Sequence, residues 1–269
     1  GQVKSGDRII GVAQDGDKMV DVIGWPSSEI VGLIRGKRGT KVTVRLLGAG
    51  AAMSQARNVT LTRDVIQEED AGVRSRTVEI TRDGKKHVFG VIEIPSFYFD
   101  YRSRRAGQQY RSVSEDTANA FEALKAKKVE GIIIDLRNDP GGSLEEVARM
   151  LGQVIKSGPV VQIRDGNGNV SVFEDNDGGQ QIYTGPLAVL VNLASASASE
   201  IYSAAIQDYE RGIIIGSTTT GKGTAQVQLD SLAHGQATLT QRKFYRVTGG
   251  STQNKGVIPD IRLVDIYNE

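Results

Sequence analysis

The chain has 269 residues, which suits one large domain or a medium domain with a small one. Its net charge of +1 gives no reason to expect a nucleic acid or an anionic membrane as partner. No apolar run reaches the ~18 residues that would span a bilayer. The chain has no cysteine, which excludes disulfides and thiol catalysis, and His87 and His234 lack ligand-like spacing. We therefore expect no metal site and no cofactor.

The first 63 residues are predicted to form a small β-rich module. Asp7–Ala13 and Lys41–Leu47 alternate or run apolar, as strands do. Between them, Ser27–Gly36 carries apolar residues at helical spacing. We therefore assign Gly1–Arg63 to one domain and residues 64–269 to a second. The chain opens without an initiator methionine, so we expect a cut start and draw nothing from the lack of a targeting segment.

The second domain is predicted to alternate strands with helices. Residues 64–90 form two strands around the turn at Arg82–Lys86, and GVIEIPSF from Gly90 is a strand. Buried strands are predicted at Gly131–Arg137, Pro186–Asn192 and Gly212–Gly216. Helices are predicted over Ser114–Lys128, Leu144–Ile155 and Ser199–Tyr209. Strand–loop–helix repeats with all-apolar strands predict a mostly parallel α/β sheet covered on both faces.

The segment NLASASASEI, at Asn192–Ile201, places three serines where a strand turns into a helix. Catalytic groups of open α/β sheets lie at the carboxyl ends of strands, and a helix N-terminus supplies free N–H groups for a developing oxyanion. A serine here can therefore act as a nucleophile. The alternative is structural, because Ser197 and Glu200 match a capping box and Ser197 could simply cap the helix.

The segment GKGTAQ, at Gly221–Gln226, places a lysine between two glycines. A lysine serves as a general base only when its amine is neutral, which requires burial and no carboxylate partner. No acidic residue lies within seven positions of Lys222, and Gln226 could orient the amine without charging it. The alternatives are a solvated or phosphate-binding lysine, but a P-loop would need Ser or Thr where Gly223 stands.

The segment NDPGG, at Asn138–Gly142, follows a buried strand and ends in consecutive glycines. Such glycines can form a nest of N–H groups for an oxyanion. They could equally form a turn with Ser143 as the N-cap of the next helix. Asp135 and Arg137 are predicted to form a structural ion pair at the strand end.

Together these segments resemble the tail-specific (C-terminal processing) serine proteases, and most closely the bacterial periplasmic members. The family combines a SASASE-type turn, a GKG loop 25 residues later, a glutamine four beyond and a DLRxxxGG loop. Lys222 lies 25 residues after Ser197, which selects Ser197 over Ser195 and Ser199. KGVIPDI at Lys255–Ile261 is similar to the family's closing segment.

The resemblance implies a crotonase-like α/β protease core of parallel β–α repeats behind a partial PDZ-like β-rich module. It implies a catalytic Ser197, a base in Lys222 and a positioning Gln226. It also implies an oxyanion hole from the backbone N–H groups of Gly141 or Gly142 and of Ala198. The expected protein is a periplasmic serine endopeptidase without cofactor. Its expected partners are unfolded or tagged proteins with apolar C-terminal tails, and an adaptor or lipoprotein.

Two departures from the family pattern bear on these expectations. The PDZ-like part begins at its middle, so only the groove helix at Ser27–Arg35 is visible and tail capture by strand addition is expected to be weak. The sequence STTT also replaces the family's usual Glu-Pro-Thr-type loop before Lys222.

Three other classes stay open. The first is a non-catalytic peptide-binding protein on a protease-like fold, which the half PDZ-like module favours and the intact serine and lysine oppose. The second is a crotonase-type enzyme, which would not need the Ser–Lys spacing. The third is a Ser–His–Asp hydrolase, possible only through His87 or His234.

Overall fold

The computed structural model describes residues 2–64, 72–174, 181–229 and 237–265. The chain divides into two compact units, Gly1–Glu68 and Glu69–Glu269. Assignment of the first unit to a PDZ domain stays a prediction.

The first unit is a four-stranded antiparallel sheet in the order β2-β1-β3-β4 with one helix, α1. Its elements are β1 Arg8–Gln14, β2 Val20–Asp21, α1 Ser27–Ile34, β3 Lys41–Leu47 and β4 Arg57–Thr62. Alternate valines of the strands form the core, with Val12, Val42 and Val44 almost fully buried. The Arg63 guanidinium donates to the Ile34 carbonyl at 2.7 Å and so satisfies a free C-terminal group of α1.

The second unit is built on a six-stranded sheet in the order β14-β11-β10-β7-β6-β5. All neighbouring strands are parallel except the β5–β6 hairpin. The strands are β5 Arg74–Arg82, β6 Lys85–Glu93, β7 Gly131–Asp135, β10 Leu187–Val191, β11 Ile213–Gly216 and β14 Ile261–Arg262. A second, antiparallel sheet in the order β12-β13-β8-β9 contains β8 Pro159–Asp165, β9 Val170–Glu174, β12 Thr224–Leu229 and β13 Ala237–Tyr245.

Helices α3, α4 and α5 pack together and supply much of the hydrophobic core of this unit. They span Val113–Ala126, Leu144–Gly152 and Ala198–Asp208, respectively. A short helix, α2, spans Tyr101–Arg105 and was not predicted from the sequence. Ser112 caps α3 and Ser143 caps α4, each through its side-chain oxygen. Tyr202 of α5 is fully buried, 6.1 Å from the ring of Phe97. The predicted fold class, an α/β protease core of parallel β–α repeats with a small β-rich module before it, is confirmed.

The prediction that both faces of the large sheet are covered is wrong for the described part of this unit. Along β10, Leu187, Val189 and Val191 are buried, whereas Ala188 and Leu190 between them are only partly buried. The less buried face opens into an apolar cavity of about 520 Å³, lined by side chains of β5, β6, β7, β10 and β11. Runs of Ile and Val predict a strand but do not distinguish its two faces.

Three neighbouring parallel strands deliver the three candidate loops to one edge of the sheet. In the ladder, Leu190 of β10 lies beside Asp135 of β7, and Val191 lies beside Gly216 of β11. The glycine loop follows β7, the serine turn follows β10 and the lysine loop follows β11. Because all three strands run in the same direction, their carboxyl ends bring the three loops together.

Candidate active site

Ser197 occupies a backbone conformation that is rare for a residue with a side chain. Its φ is 57° and its ψ is −109°, and it stands as the N-cap of α5. Residues held in such regions cluster at functional sites, and a strained strand-to-helix turn is how α/β hydrolases present a nucleophilic serine. The Ser197 hydroxyl makes no capping hydrogen bond, but the other half of the predicted capping box forms, because the Glu200 carboxylate accepts from the Ser197 N–H at 2.9 Å. The geometry leaves this hydroxyl free to react.

The two neighbouring serines are buried and committed to structural hydrogen bonds. The Ser195 hydroxyl donates to the Leu136 carbonyl at 2.8 Å and accepts from the Asn192 N–H at 2.9 Å. The Ser199 hydroxyl donates to the Asp139 carbonyl at 3.0 Å. Both serines therefore fasten the serine turn to the glycine loop.

A buried carboxylate joins the serine turn to the lysine loop. Glu200 is fully buried, and its Oε2 accepts hydrogen bonds from the backbone N–H of Ser197 at 2.9 Å and of Lys222 at 2.8 Å. Its Oε1 accepts from the backbone N–H of Gly221 at 2.7 Å and from the Thr219 hydroxyl at 2.6 Å. One carboxylate oxygen atom therefore accepts hydrogen bonds from the backbone N–H groups of both candidate catalytic residues.

The threonines that replace the family's usual loop anchor this segment. Besides donating to Glu200, the Thr219 hydroxyl accepts from the Val257 N–H at 2.7 Å. The Thr220 hydroxyl donates to the Leu193 carbonyl at 2.6 Å, and its N–H donates to the Ser195 carbonyl at 3.0 Å. The departure STTT thus keeps the lysine loop attached to the serine turn.

The side chains of Lys222 and Gln226 lie differently from the expectation. Both residues are exposed, whereas Gly221 and Gly223 are buried, so the burial predicted for Lys222 is wrong for this structure. The reason is that the backbone of the loop faces Glu200 and the side chain projects outward. Within the described ranges, no hydrogen bond links the Ser197 hydroxyl, the Lys222 amine and the Gln226 amide. Their catalytic roles stay predictions.

The glycine loop packs directly against the serine turn. A Cβ added to Gly141 would lie 2.7 Å from the Ala196 carbonyl oxygen and 2.9 Å from the Ala198 nitrogen. A Cβ on Gly142 would lie 2.3 Å from the Phe97 carbonyl oxygen. Only glycine therefore permits this approach, and the φ values of 101° and 150° favour it as well.

Two of the three predicted oxyanion donors are unengaged. The Gly141 N–H donates to the Asp139 carboxylate at 2.8 Å and is therefore unavailable in this structure. The N–H groups of Gly142 and Ala198 donate no hydrogen bond to any group in the described part of the chain. They flank Ser197 from the glycine loop and from the helix N-terminus, where an oxyanion hole requires donors.

Asp139 is a buried acid within this loop. It is 0% exposed, and its Oδ2 has no partner among the described residues. Burial raises the pKa of Asp139 to about 7, although the hydrogen bond from the Gly141 N–H acts in the opposite direction. The neighbouring Asp135–Arg137 ion pair, at 2.6 Å, forms as predicted at the end of β7.

The histidines do not join these loops in the part of the chain that the structure describes. His87 lies near the start of β6 and contacts Glu130 at 2.9 Å, at the opposite end of the sheet from the three loops. His234 lies outside the described residues. No group of three or more potential metal-binding side chains occurs in the described ranges. No helix described in the structure is long and apolar enough to cross a membrane.

Sequence reasoning missed several residues of the site. Glu200 was noticed only as half of a capping box, and the oxygen atoms of Asp139 were not considered. Gln253, whose side-chain oxygen accepts from the Gly223 N–H at 2.8 Å, gave no signal at all. The only usable signal was the Ser-x-x-Glu spacing from Ser197, because the remaining contacts join segments far apart in the chain.

Comparison with known proteins places these loops in a family. The sequence model of "Peptidase family S41" matches residues 88–263. The chain is 42% identical over 271 residues to the tail-specific protease of Haemophilus influenzae, covering 98% of this chain and 36% of that protein. It is 30% identical over 261 residues to the carboxy-terminal processing protease CtpA of Bacillus subtilis, covering 97% of this chain and 49% of that protein.

A solved structure agrees with these sequence matches. The photosystem II D1 C-terminal processing protease is 28% identical and superposes with a TM-score of 0.58, covering 97% of this chain and 63% of that one. The chain thus spans about a third to a half of the length of the two curated relatives described here. The resemblance stated from the motifs is confirmed.

Asp139 predicts a pH dependence of stability. Its carboxyl is expected to titrate near pH 4 when unfolded and at about pH 7 when folded, so stability should fall as pH rises from 4 to 7. At about 1.4 kcal/mol for each pKa unit, the unfolding free energy of the parent protein should fall by roughly 2–4 kcal/mol between pH 4 and pH 8. Asp139→Asn should lack this fall. Urea unfolding of both proteins across this pH range measures it. Asp83→Asn, at an exposed position, is the control, and equal pH profiles for parent and Asp139→Asn would contradict the assignment.

Glu200→Gln tests the shared carboxylate. An amide NH₂ group cannot accept hydrogen bonds, so one of the two pairs of donors would lose its acceptor. We expect a loss of about 1–3 kcal/mol in unfolding free energy and a displaced lysine loop. Any hydrolytic activity should fall through kcat more than through KM. Glu122→Gln, on the exposed side of α3, is the matched control. Unchanged stability and unchanged kcat in Glu200→Gln would show that the carboxylate is dispensable.

Proposed function

Because the chain belongs to peptidase family S41, we propose that it carries the catalytic machinery of a serine-type C-terminal processing endopeptidase. The observation that carries the proposal is the pair of hydrogen bonds from Ser197 N and Lys222 N to the single Oε2 of Glu200. A further support is the free Ser197 hydroxyl on its strained turn, beside two buried serines that are fully hydrogen-bonded.

In the proposed reaction, the neutral Lys222 amine takes the hydroxyl proton of Ser197 as the serine oxygen attacks the substrate carbonyl. The exposed Lys222 side chain must turn toward Ser197 for this step, and its anchored backbone limits the change to the side chain. Gln226, on β12 after the loop, would then hold the amine without adding charge. Such a base contributes about 10²–10⁴-fold to the rate.

The tetrahedral oxyanion would be held by the backbone N–H groups of Gly142 and Ala198. The lysinium then returns its proton to the leaving amine as the C–N bond breaks, which leaves an acyl ester on Ser197. A water molecule, deprotonated by Lys222, hydrolyses the ester and restores the serine. Gly141 was predicted as an alternative oxyanion donor, but its N–H is engaged. It contributes instead by allowing the glycine loop to pack closely against the serine turn.

The substrate class is proposed from the relatives. The names of the Haemophilus and Bacillus proteins refer to protein tails and carboxy-terminal processing, so we propose substrates that are unfolded or tagged proteins with apolar C-termini. A periplasmic location and an adaptor or lipoprotein partner belong to the same proposal. The second candidate function, peptide binding without catalysis, is favoured by the exposed position of Lys222.

Ser197→Ala should abolish hydrolysis of an unfolded protein with an apolar C-terminal tail, because it removes the nucleophile. The variant should lose less than about 1 kcal/mol of stability, since the hydroxyl makes no capping bond. Ser195→Ala and Ser199→Ala should keep hydrolysis but unfold more easily, by about 1–3 kcal/mol, because each removes a buried hydrogen bond. Hydrolysis rates and thermal melts of the three variants measure this. An active Ser197→Ala variant would exclude the assignment.

Lys222→Ala should reduce the rate by at least ~10²-fold, and Lys222→Arg should be inactive because a guanidinium stays protonated. Replacing both His87 and His234 by Gln should leave the rate nearly unchanged. The measurement is the initial rate of tail-dependent hydrolysis. If the double-histidine variant is inactive and Lys222→Ala is active, the reaction depends on a histidine and not on the Ser–Lys dyad. A parent protein that binds the tail but does not hydrolyse it would favour peptide binding without catalysis.

A further inference from the structure

A cavity of about 650 Å³ lies in the protease unit beside the glycine loop. Ser143 and Leu144, which line it, directly follow Gly142 of the proposed oxyanion hole. Arg242 of β13 also lines the cavity, and it pairs with Ala225 in the strand that follows the lysine loop. The cavity therefore borders the end of the glycine loop and the sheet that contains the strand after the lysine loop. Its volume is in the range of small-ligand and side-chain pockets.

The lining of this cavity, which we call the arginine–aromatic pocket, is partly aromatic. It includes Phe99, Tyr101 and Phe173, and Tyr101 is 62% exposed although it is a large aromatic residue. The Arg104 guanidinium lies 5.1 Å from the centre of the Phe99 ring and pairs with Glu145. Arg104 is therefore held in place, and its charge is compensated.

Among the residues that the structure describes, the other two arginines of the pocket have no acidic partner. Arg105 and Arg242 line it and are exposed, and neither forms an ion pair with any residue that the structure describes. Within the described part of the lining, Glu145 is the one acid, and it pairs with Arg104. Two guanidinium groups beside aromatic walls suit a carboxylate attached to an apolar body, because arginine binds carboxylates through a planar fork of donors.

We infer that the arginine–aromatic pocket binds a carboxylate of the substrate close to the bond being cut. This inference rests on the proposed function for its substrate, a polypeptide. The carboxylate can come from an Asp or Glu side chain near the scissile bond or from the end of the chain. Arg105 and Arg242 are then specificity-determining residues, and the aromatic side chains pack against the apolar part of the same substrate.

The test measures affinity separately from hydrolysis, on a Ser197→Ala background. Four fluorescent peptides of one apolar sequence are compared by anisotropy, with Glu or Gln at one position and a free or amidated C-terminus. At least one of the two carboxylates should raise affinity by about tenfold or more, and added salt should reduce this gain. The comparison of Glu with Gln and of free with amidated ends identifies which carboxylate is bound.

The double variant Arg105→Gln, Arg242→Gln should bring the four affinities to within about twofold of one another. Lys243→Gln is the matched control, because it removes a positive charge from the neighbouring position of β13 outside the pocket lining. Equal affinities in the parent, or a carboxylate preference that survives the double variant, would overturn the inference. Because binding is measured without the nucleophile, the result stands even if the protein with Ser197 proves unable to hydrolyse any of the peptides.

Discussion

The carboxylate of Glu200 is the interaction on which the candidate site depends. It is fully buried and accepts four hydrogen bonds, three from backbone N–H groups and one from a threonine hydroxyl. A buried carboxylate is stable only when its oxygen atoms are satisfied in this way. These hydrogen bonds fix the loops after β10 and β11 relative to each other. The strand ladder alone does not do so, because its hydrogen bonds end where the strands end. The serine turn and the lysine loop are therefore joined through one buried side chain.

The glycine loop joins the same assembly from the other side. The carbonyl of Asp139 accepts from the Ala196 N–H at 3.0 Å and from the Ser199 hydroxyl, so the loop is fastened on both sides of Ser197. Close packing without side chains at Gly141 and Gly142 makes this contact possible. Three loops that are distant in sequence therefore share a continuous network of buried hydrogen bonds, and the free N–H groups of Gly142 and Ala198 are the positions that it leaves unused.

Much of the fold followed from local sequence patterns, because apolar runs separated by glycine-rich turns specify strands and helices over short distances. The stretches around β7, β10 and β11 are examples, and their parallel arrangement brought the loops to one edge. Glu200, by contrast, bonds to groups 19 to 22 residues away, and no local pattern reports such contacts. The exposure of Lys222 was missed for the same reason, since absence of nearby acids in the sequence says nothing about which way a side chain projects. Helix α2 and the open sheet face also depend on tertiary packing.

The left-handed backbone of Ser197 has a thermodynamic consequence. Such a conformation costs of order 1–3 kcal/mol for a residue with a side chain, and glycine would adopt it with little strain. The chain therefore gives up folding stability at the position where its hydroxyl is presented. A glycine at this position would therefore increase the free energy of unfolding. Serine at this position presents a hydroxyl at the expense of folding stability, whereas glycine would recover the stability and remove the proposed nucleophile.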